Sequence, residues 1–229
     1  MFFGWFYYDW TILIVMPALI FTVWAQIKVN SSFNKYSSVR THSGLTGELA
    51  ARRILDANGL HNVKIERVRG SMTDHFDPRT NTVRLSDTVH DVSSIAAVGV
   101  AAHEVGHAIQ HARGYFPIKV RMAIIPVTRF GSMLAMPLFL LGLILANDAF
   151  LVFGIVLYAT VTLFQLITLP VEFNASKRAL QTLSGQGMLA GDDLKGARSV
   201  LSSAAMTYVA ALATSLLTLL RLLVLANNR

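Results

Sequence analysis

Cysteine is absent from this 229-residue chain, which removes disulfides and every thiolate-bound metal or redox centre together. Any transition metal it binds must be held by histidine and carboxylate. Charge is also scarce: 14% of residues are Asp, Glu, Lys or Arg, 53% are hydrophobic, and the mean hydropathy is +0.50. So little charge does not suit a water-soluble globule, and it fits helices solvated by lipid. Acid is scarcer than base, 13 residues against 20, for a net charge of +7. No basic helix, aromatic-interleaved patch or recognised motif accompanies that excess, so nucleic acid is not an expected partner. Internal repeats and low-complexity tracts are missing as well.

What the chain has in quantity is long apolar runs. Residues 1–27 are apolar apart from Asp9 and Gln26, with Trp5, Tyr7, Tyr8, Trp10 and Trp24 toward the two ends. A secretory leader would open on Lys or Arg and close on small residues, and this segment does neither. Aromatics at both rims mark interfacial belts, so residues 10–27 are expected to form a retained transmembrane helix. Three further spans are expected at residues 122–146, 149–169 and 204–225, the spans at 122–146 and 149–169 joined tightly through Asn147-Asp148. Pro126 and Pro137 should kink the second span or leave its start outside the hydrocarbon. Arg129 and Arg221 lie near span ends, where they can snorkel.

The cations fix an expected orientation. Thirteen of the 20 Lys and Arg lie between Lys28 and Arg121, and four more between Lys177 and Arg198; residues 1–9 and the Asn147-Asp148 connector carry none, and the tail only Arg229. With four spans both basic regions fall on one side, expected to be the cytoplasm, with both termini outside. The expected organisation is a transmembrane helix at 1–27, a water-exposed domain at 28–121, a transmembrane hairpin at 122–171, a polar segment at 172–203, and a last transmembrane helix with its tail at 204–229.

Within the water-exposed domain, residues 45–57 have helical periodicity, with Thr46 as cap and Gly59 closing the helix. Residues 63–68 and 82–86 alternate as half-buried strands, with a turn at 77–81 between them. The edge of such a strand pair could hold an extended peptide by backbone pairing; an ordinary small sheet reads identically.

The stretch that carries chemistry is His103-Glu104-Val105-Gly106-His107, inside a small, apolar, proline-free run from Ser94 to Gly114. On a helix one turn separates His103 from His107, so both imidazoles leave the same face and can share one Zn²⁺, with Glu104 placed to reach a water there. This is apparatus for metal-assisted hydrolysis; a polar helix turn satisfied by its neighbours is the bland alternative. A catalytic zinc takes a third protein ligand. His111 is about 12 Å along the axis from His103, too far on a straight helix. The arrangement with a third His ten residues after the first fails on Gln110 and Arg113. Glu172, in Leu169-Pro170-Val171-Glu172-Phe173-Asn174, stands where a hydrophobic span ends, and a metal would stabilise its ionised form. It is taken as the third ligand; a capping or ion-paired glutamate is the alternative. An oxyanion donor is expected, with His75, His90 and Tyr208 as candidates.

The chain resembles the bacterial membrane-bound zinc metallopeptidases of the YugP type (neutral zinc metallopeptidase family 2). The stretches that carry the likeness are Ser43-Gly44-Leu45-Thr46-Gly47, Ala51-Arg52-Arg53-Ile54-Leu55, Thr73-Asp74-His75-Phe76-Asp77-Pro78-Arg79, residues 101–111 and residues 169–176. The resemblance implies a bacterial inner-membrane zinc endopeptidase of the gluzincin kind, with His103 and His107 as ligands and Glu104 as base. More distantly the chain is similar to Ste24/HtpX-type membrane proteases, whose later Glu-x-x-x-Asp supports Glu172. Here Ser176 stands at the Asp position, so the residue orienting a ligand histidine must be another, with Asn174, Ser176 or Asp91 as candidates. The expectation is thus a mainly α protein with four transmembrane helices and a small cytoplasmic α+β zincin-like domain, acting on protein or peptide substrates at the lipid bilayer. A non-hydrolytic zinc-binding scaffold or chaperone, and an intramembrane protease, are the competing readings.

Overall fold

A computed structural model describes residues 10–228. Trp5, Tyr7, Tyr8, Asp9 and Arg229, which enter the belt and charge arguments above, lie outside the described residues. The order of elements is α1 (Ile12–Ser37), α2 (Gly47–Ala57), β1 (Lys64–Val68), β2 (His75–Asp77), β3 (Thr82–Ser86), α3 (Ile95–Ala112), α4 (Phe116–Ile144), α5 (Asp148–Gly185) and α6 (Gly191–Asn227). The protein is mainly helical, with one small sheet, and α1, α4, α5 and α6 are each long and apolar enough to cross a membrane.

Two compact units divide the chain. The first comprises Met1–Ala25, Val120–Leu169 and Thr207–Arg229. Large apolar side chains such as Leu13, Ile20, Val23, Phe130 and Ile144 are exposed there, which is costly in water and ordinary in lipid. Inside it, small residues set helix spacing. A Cβ on Gly142 or Gly154 would stand 2.7 Å from the backbone of Leu151 or Phe139, so the α4 and α5 backbones approach closely, as small residues permit between membrane helices. Asn147 turns that hairpin: its Oδ1 accepts from the backbone N–H of Ala149 and Phe150, capping α5. Pro126 and Pro137 both lie inside continuous α4. Arg221 donates to Thr11 Oγ1 at 3.1 Å.

The second unit comprises Gln26–Lys119 and Pro170–Met206. Its core joins Ala50, Ile54 and Leu55 of α2, Val83 and Leu85 of β3, Val98, Ala102, Val105 and Ile109 of α3, and Ala179, Leu183 and Leu201 from α5 and α6. Burial of each large aliphatic side chain contributes roughly 1.5–3 kcal/mol. The two strands expected from alternation are neighbours in the order β1-β3-β2, but β1 pairs with β3 in parallel, Lys64 opposite Thr82. The hairpin is made instead by the three-residue β2, antiparallel to β3 with His75 opposite Arg84. Asp77 shapes its turn by accepting from Arg79 N–H and Thr80 Oγ1, and Asn81 takes φ +52°, a conformation asparagine tolerates. Arg84 then clamps Asp77 at 2.8 Å and Glu66 at 3.2 Å, tying β2, β3 and β1 together.

All four long helices outrun the expected spans, α4 by starting at Phe116. α1 continues to Ser37, α5 passes through Pro170 to Gly185, and α6 starts at Gly191. One proline removes one backbone donor and need not end a helix whose faces are otherwise packed. This continuation places Glu172 on a helix within the second unit.

α3 begins at Ser94, whose Oγ accepts from Ala97 N–H at 3.1 Å while the residue is almost wholly buried. A buried helix start has no water to satisfy that N–H. Ser94→Ala is therefore expected to destabilise the second unit by about 1 kcal/mol, measured as a lower thermal midpoint of the detergent-solubilised protein; an unchanged midpoint would show that the cap contributes nothing.

Candidate metal centre

His103 and His107 lie one turn apart on α3, and Glu172 reaches them from α5. One ligand atom from each lies within 4.8 Å of the other two. Nε2 of His103 is 3.3 Å and Nε2 of His107 is 3.5 Å from Glu172 Oε2. Metal–ligand bonds of ~2.05 Å at a tetrahedral angle would separate ligand atoms by ~3.3 Å. The spacing therefore fits a zinc ion.

The approach of the two helices depends on small residues. A Cβ on Gly106 would stand 2.8 Å from Ala175 O and 3.2 Å from its Cα. Ala175 is three residues past Glu172, so a side chain at Gly106 would push the α5 segment away and draw the carboxylate off the imidazoles. Gly106 thus has a structural duty inside the motif.

The hydrogen bonds around the site determine which ring nitrogens face the carboxylate. Arg178 can only donate, and its Nε donates to Asn174 Oδ1 at 2.7 Å. Gln110, fully buried, donates through Nε2 to that same Oδ1 at 3.0 Å and to Val171 O at 2.8 Å. Its Oε1 is then the acceptor 3.1 Å from His107 Nδ1, so Nδ1 carries the proton and Nε2 the lone pair. On the other ring, Ser176 Oγ lies 3.1 Å from His103 Nδ1 and can accept from it. Both imidazoles then aim an Nε2 lone pair at a carboxylate oxygen. Such an arrangement repels unless a proton or a cation lies between the groups.

Electrostatics point the same way. Burial disfavours the Glu172 carboxylate, but hydrogen bonding and attraction from His103 and His107 outweigh it and hold the group well below the usual carboxylate range. Glu172 lies past Leu169, beyond the apolar stretch of α5. For His107, burial disfavours the charged ring; Glu172 beside it, with Glu104 and Gln110, nevertheless raises its pKa above the ordinary value. The site is built to hold positive charge. Glu104 is only 9% exposed and makes no hydrogen bond or ion pair among the described residues, yet its charge acts on His107. A buried carboxylate with no partner is costly to maintain and is characteristic of functional sites.

Of the other expected residues, His111, Asp91, His90 and His75 fall elsewhere in the second unit. His111 is exposed and lies tilted against Phe76, ring centroids 5.8 Å apart. Asp91 binds Arg67 at 3.0 Å and His90 at 2.8 Å, so of the three orienting candidates it is Ser176 that contacts a ring, with Asn174 one step behind Gln110. His90 forms a separate group with Glu48 and Asp91. His75 is exposed, its Nδ1 2.9 Å from Thr73 O, and Tyr208 belongs to the first unit. Neither His75 nor His90 makes a hydrogen bond to His103, His107 or Glu172 among the described residues. Gln110 is the residue that the sequence did not single out. Its signal was its position, three residues after His107 on a helix with an apolar surround.

Comparison with known proteins gives two matches. A family model described as "Putative neutral zinc metallopeptidase" matches residues 11–227. The chain is also similar to a Bacillus subtilis (strain 168) protein named "Putative membrane protease YugP", 48% identical over 217 residues that make up 95% of this chain and 96% of that one. No solved structure matches the chain significantly.

Because Gln110 fixes the His107 tautomer, Gln110→Leu is expected to weaken zinc binding by roughly 10–100-fold, measured by competition with a chromogenic chelator. Zinc affinity equal to the parent's would remove Gln110 from the site's construction.

Proposed function

The chain belongs to the neutral zinc metallopeptidase family that matches it almost end to end, and from that premise we propose that it is a membrane-embedded zinc endopeptidase in which His103, His107 and Glu172 hold the ion and Glu104 is the base. The observation that carries this reading is the convergence of two Nε2 atoms on Glu172 Oε2 at 3.3 and 3.5 Å, with an unpartnered Glu104 on the same helix.

Zinc held there would polarise a peptide carbonyl and acidify a water molecule. The protein's residues do the remainder. Glu104 removes the proton from the attacking water and returns it to the departing amine. Gln110 and Ser176 keep the two Nδ1 positions protonated, so that the rings cannot turn or change tautomer. Gly106 keeps α3 close enough to α5 for one carboxylate to serve both imidazoles. The outer edge of β2 has unpaired backbone groups, on which an extended peptide could pair.

The substrates we propose are loops or misfolded parts of membrane-associated proteins, reached from the cytoplasmic face of a bacterial inner membrane. Support comes from the helices that run unbroken from apolar spans into the second unit, and from the basic regions at 28–121 and 177–198. A scaffold would have no use for a buried carboxylate left without a partner, so hydrolysis is preferred over a purely zinc-holding role. An intramembrane protease would need its zinc helix to be a span, and α3 is not among the four candidates.

Two experiments test this. Glu104→Gln should retain zinc and lose cleavage of a quenched unfolded polypeptide by at least about 10²-fold, as chelation should in the parent; a Gln variant with parental turnover would exclude Glu104 as base. Because the chain has no cysteine, single cysteines report topology cleanly. Asn147→Cys should react with an impermeant maleimide on intact cells and Gln186→Cys only after permeabilisation, and the reverse pattern would invert the orientation.

A further inference from the structure

Apart from the metal centre, the second unit has a groove of about 640 Å³ between the α5 segment 173–185 and the α6 segment 194–205. Its α5 wall is the stripe Phe173, Ser176, Lys177, Leu180, Gln181 and Ser184, at the i, i+3, i+4 spacing of one helix face. Across it stand Leu194, Arg198, Leu201 and Ala205 of α6. Four features of this groove matter together. Its surface is predominantly apolar. The only charged groups lining it are two cations, Lys177 and Arg198, with no acid among the lining residues. Neither cation makes an ion pair or hydrogen bond among the described residues, although Arg178 and Lys195 close by are both engaged. Finally, Phe173 lies four residues past Leu169 and Ala205 two residues before Thr207, so the groove begins where the apolar spans of both helices end.

We propose that this groove is a binding site for one anionic phospholipid, its acyl chain along Phe173, Leu201 and Ala205 and its phosphate between Lys177 and Arg198. Charge complementarity selects the sign: two basic groups near a membrane surface each attract anionic headgroups. The walls select lipid over peptide. Both are helices whose backbone N–H and C=O groups are satisfied internally, so an extended peptide would find no strand edge on which to pair. A lipid needs none. Apolar contact flanked by a cationic clamp is what an acyl chain and a phosphodiester require together. The proposal goes beyond the peptidase reading and does not depend on it.

The test uses the full-length protein, delipidated in a neutral detergent and titrated with phosphatidylglycerol or phosphatidylcholine, with bound lipid counted by native mass spectrometry. The parent should hold one phosphatidylglycerol at least about tenfold more tightly than phosphatidylcholine. Lys177→Gln with Arg198→Gln should abolish that preference, and both side chains are exposed, so the fold should persist, as unchanged zinc content would verify. Ser202 also lines the α6 wall, and Ser202→Trp, which fills the groove without altering its charge, should weaken both lipids. Equal binding of the two lipids by the parent, or a preference surviving the double substitution, would overturn the proposal. Displacement of the lipid by glycerol phosphate or by an acidic peptide at similar concentration would also overturn it, by making the site one for a free phosphate or for a peptide.

Discussion

A glutamate that is only 2% exposed has to be compensated where it stands, and Glu172 faces two imidazoles on another helix with which it can share a proton or a cation. Removing an unpaired carboxylate from water costs several kcal/mol even after relaxation. The surrounding structure is arranged so that the imidazoles are available. Gly106 lets α3 lie against α5 at backbone distance. The chain of hydrogen bonds from Arg178 through Asn174 to Gln110 holds one ring from α5 itself, and Ser176 holds the other. Every one of those partners comes from α3 or from one two-turn stretch of α5, so a single helix contact positions the whole constellation.

That economy explains why α5 is so long. A helix that ended with its apolar span at Leu169 would deliver Glu172 from a flexible connector. Continued to Gly185, it delivers Glu172, Asn174, Ser176 and Arg178 in fixed angular relation. Pro170 sits at the join without ending the helix. The same continuation leaves the stripe from Phe173 to Ser184 facing α6, which is how the groove arises from the construction that builds the candidate metal centre.

Much of this could be read from the sequence because it follows from period and polarity. His103 and His107 share a face at any helical spacing of four, and four apolar runs of bilayer length stand out in a chain with so little charge. Glu172 was visible because a carboxylate at the end of an apolar run calls for a partner. Other features leave no such trace. Alternating side chains look alike in parallel and antiparallel strands, so the β1-β3 pairing was hidden, and three residues are too few to announce β2. Hydropathy measures how much helix lies in lipid and is silent on how far the helix continues, so the extensions of α1, α5 and α6 were not foreseen. Gln110 is an ordinary polar residue in a helix until its neighbours in space are known. The same holds for Gly106, whose need to be small comes from Ala175, 69 positions later.

The most direct measurement is anomalous diffraction at the zinc edge from crystals of the full-length protein. The account predicts one peak about 2.0–2.2 Å from His103 Nε2, His107 Nε2 and a Glu172 carboxylate oxygen. A zinc peak found only among Glu48, His90 and Asp91, or at the two imidazoles with Glu172 turned away, would contradict it.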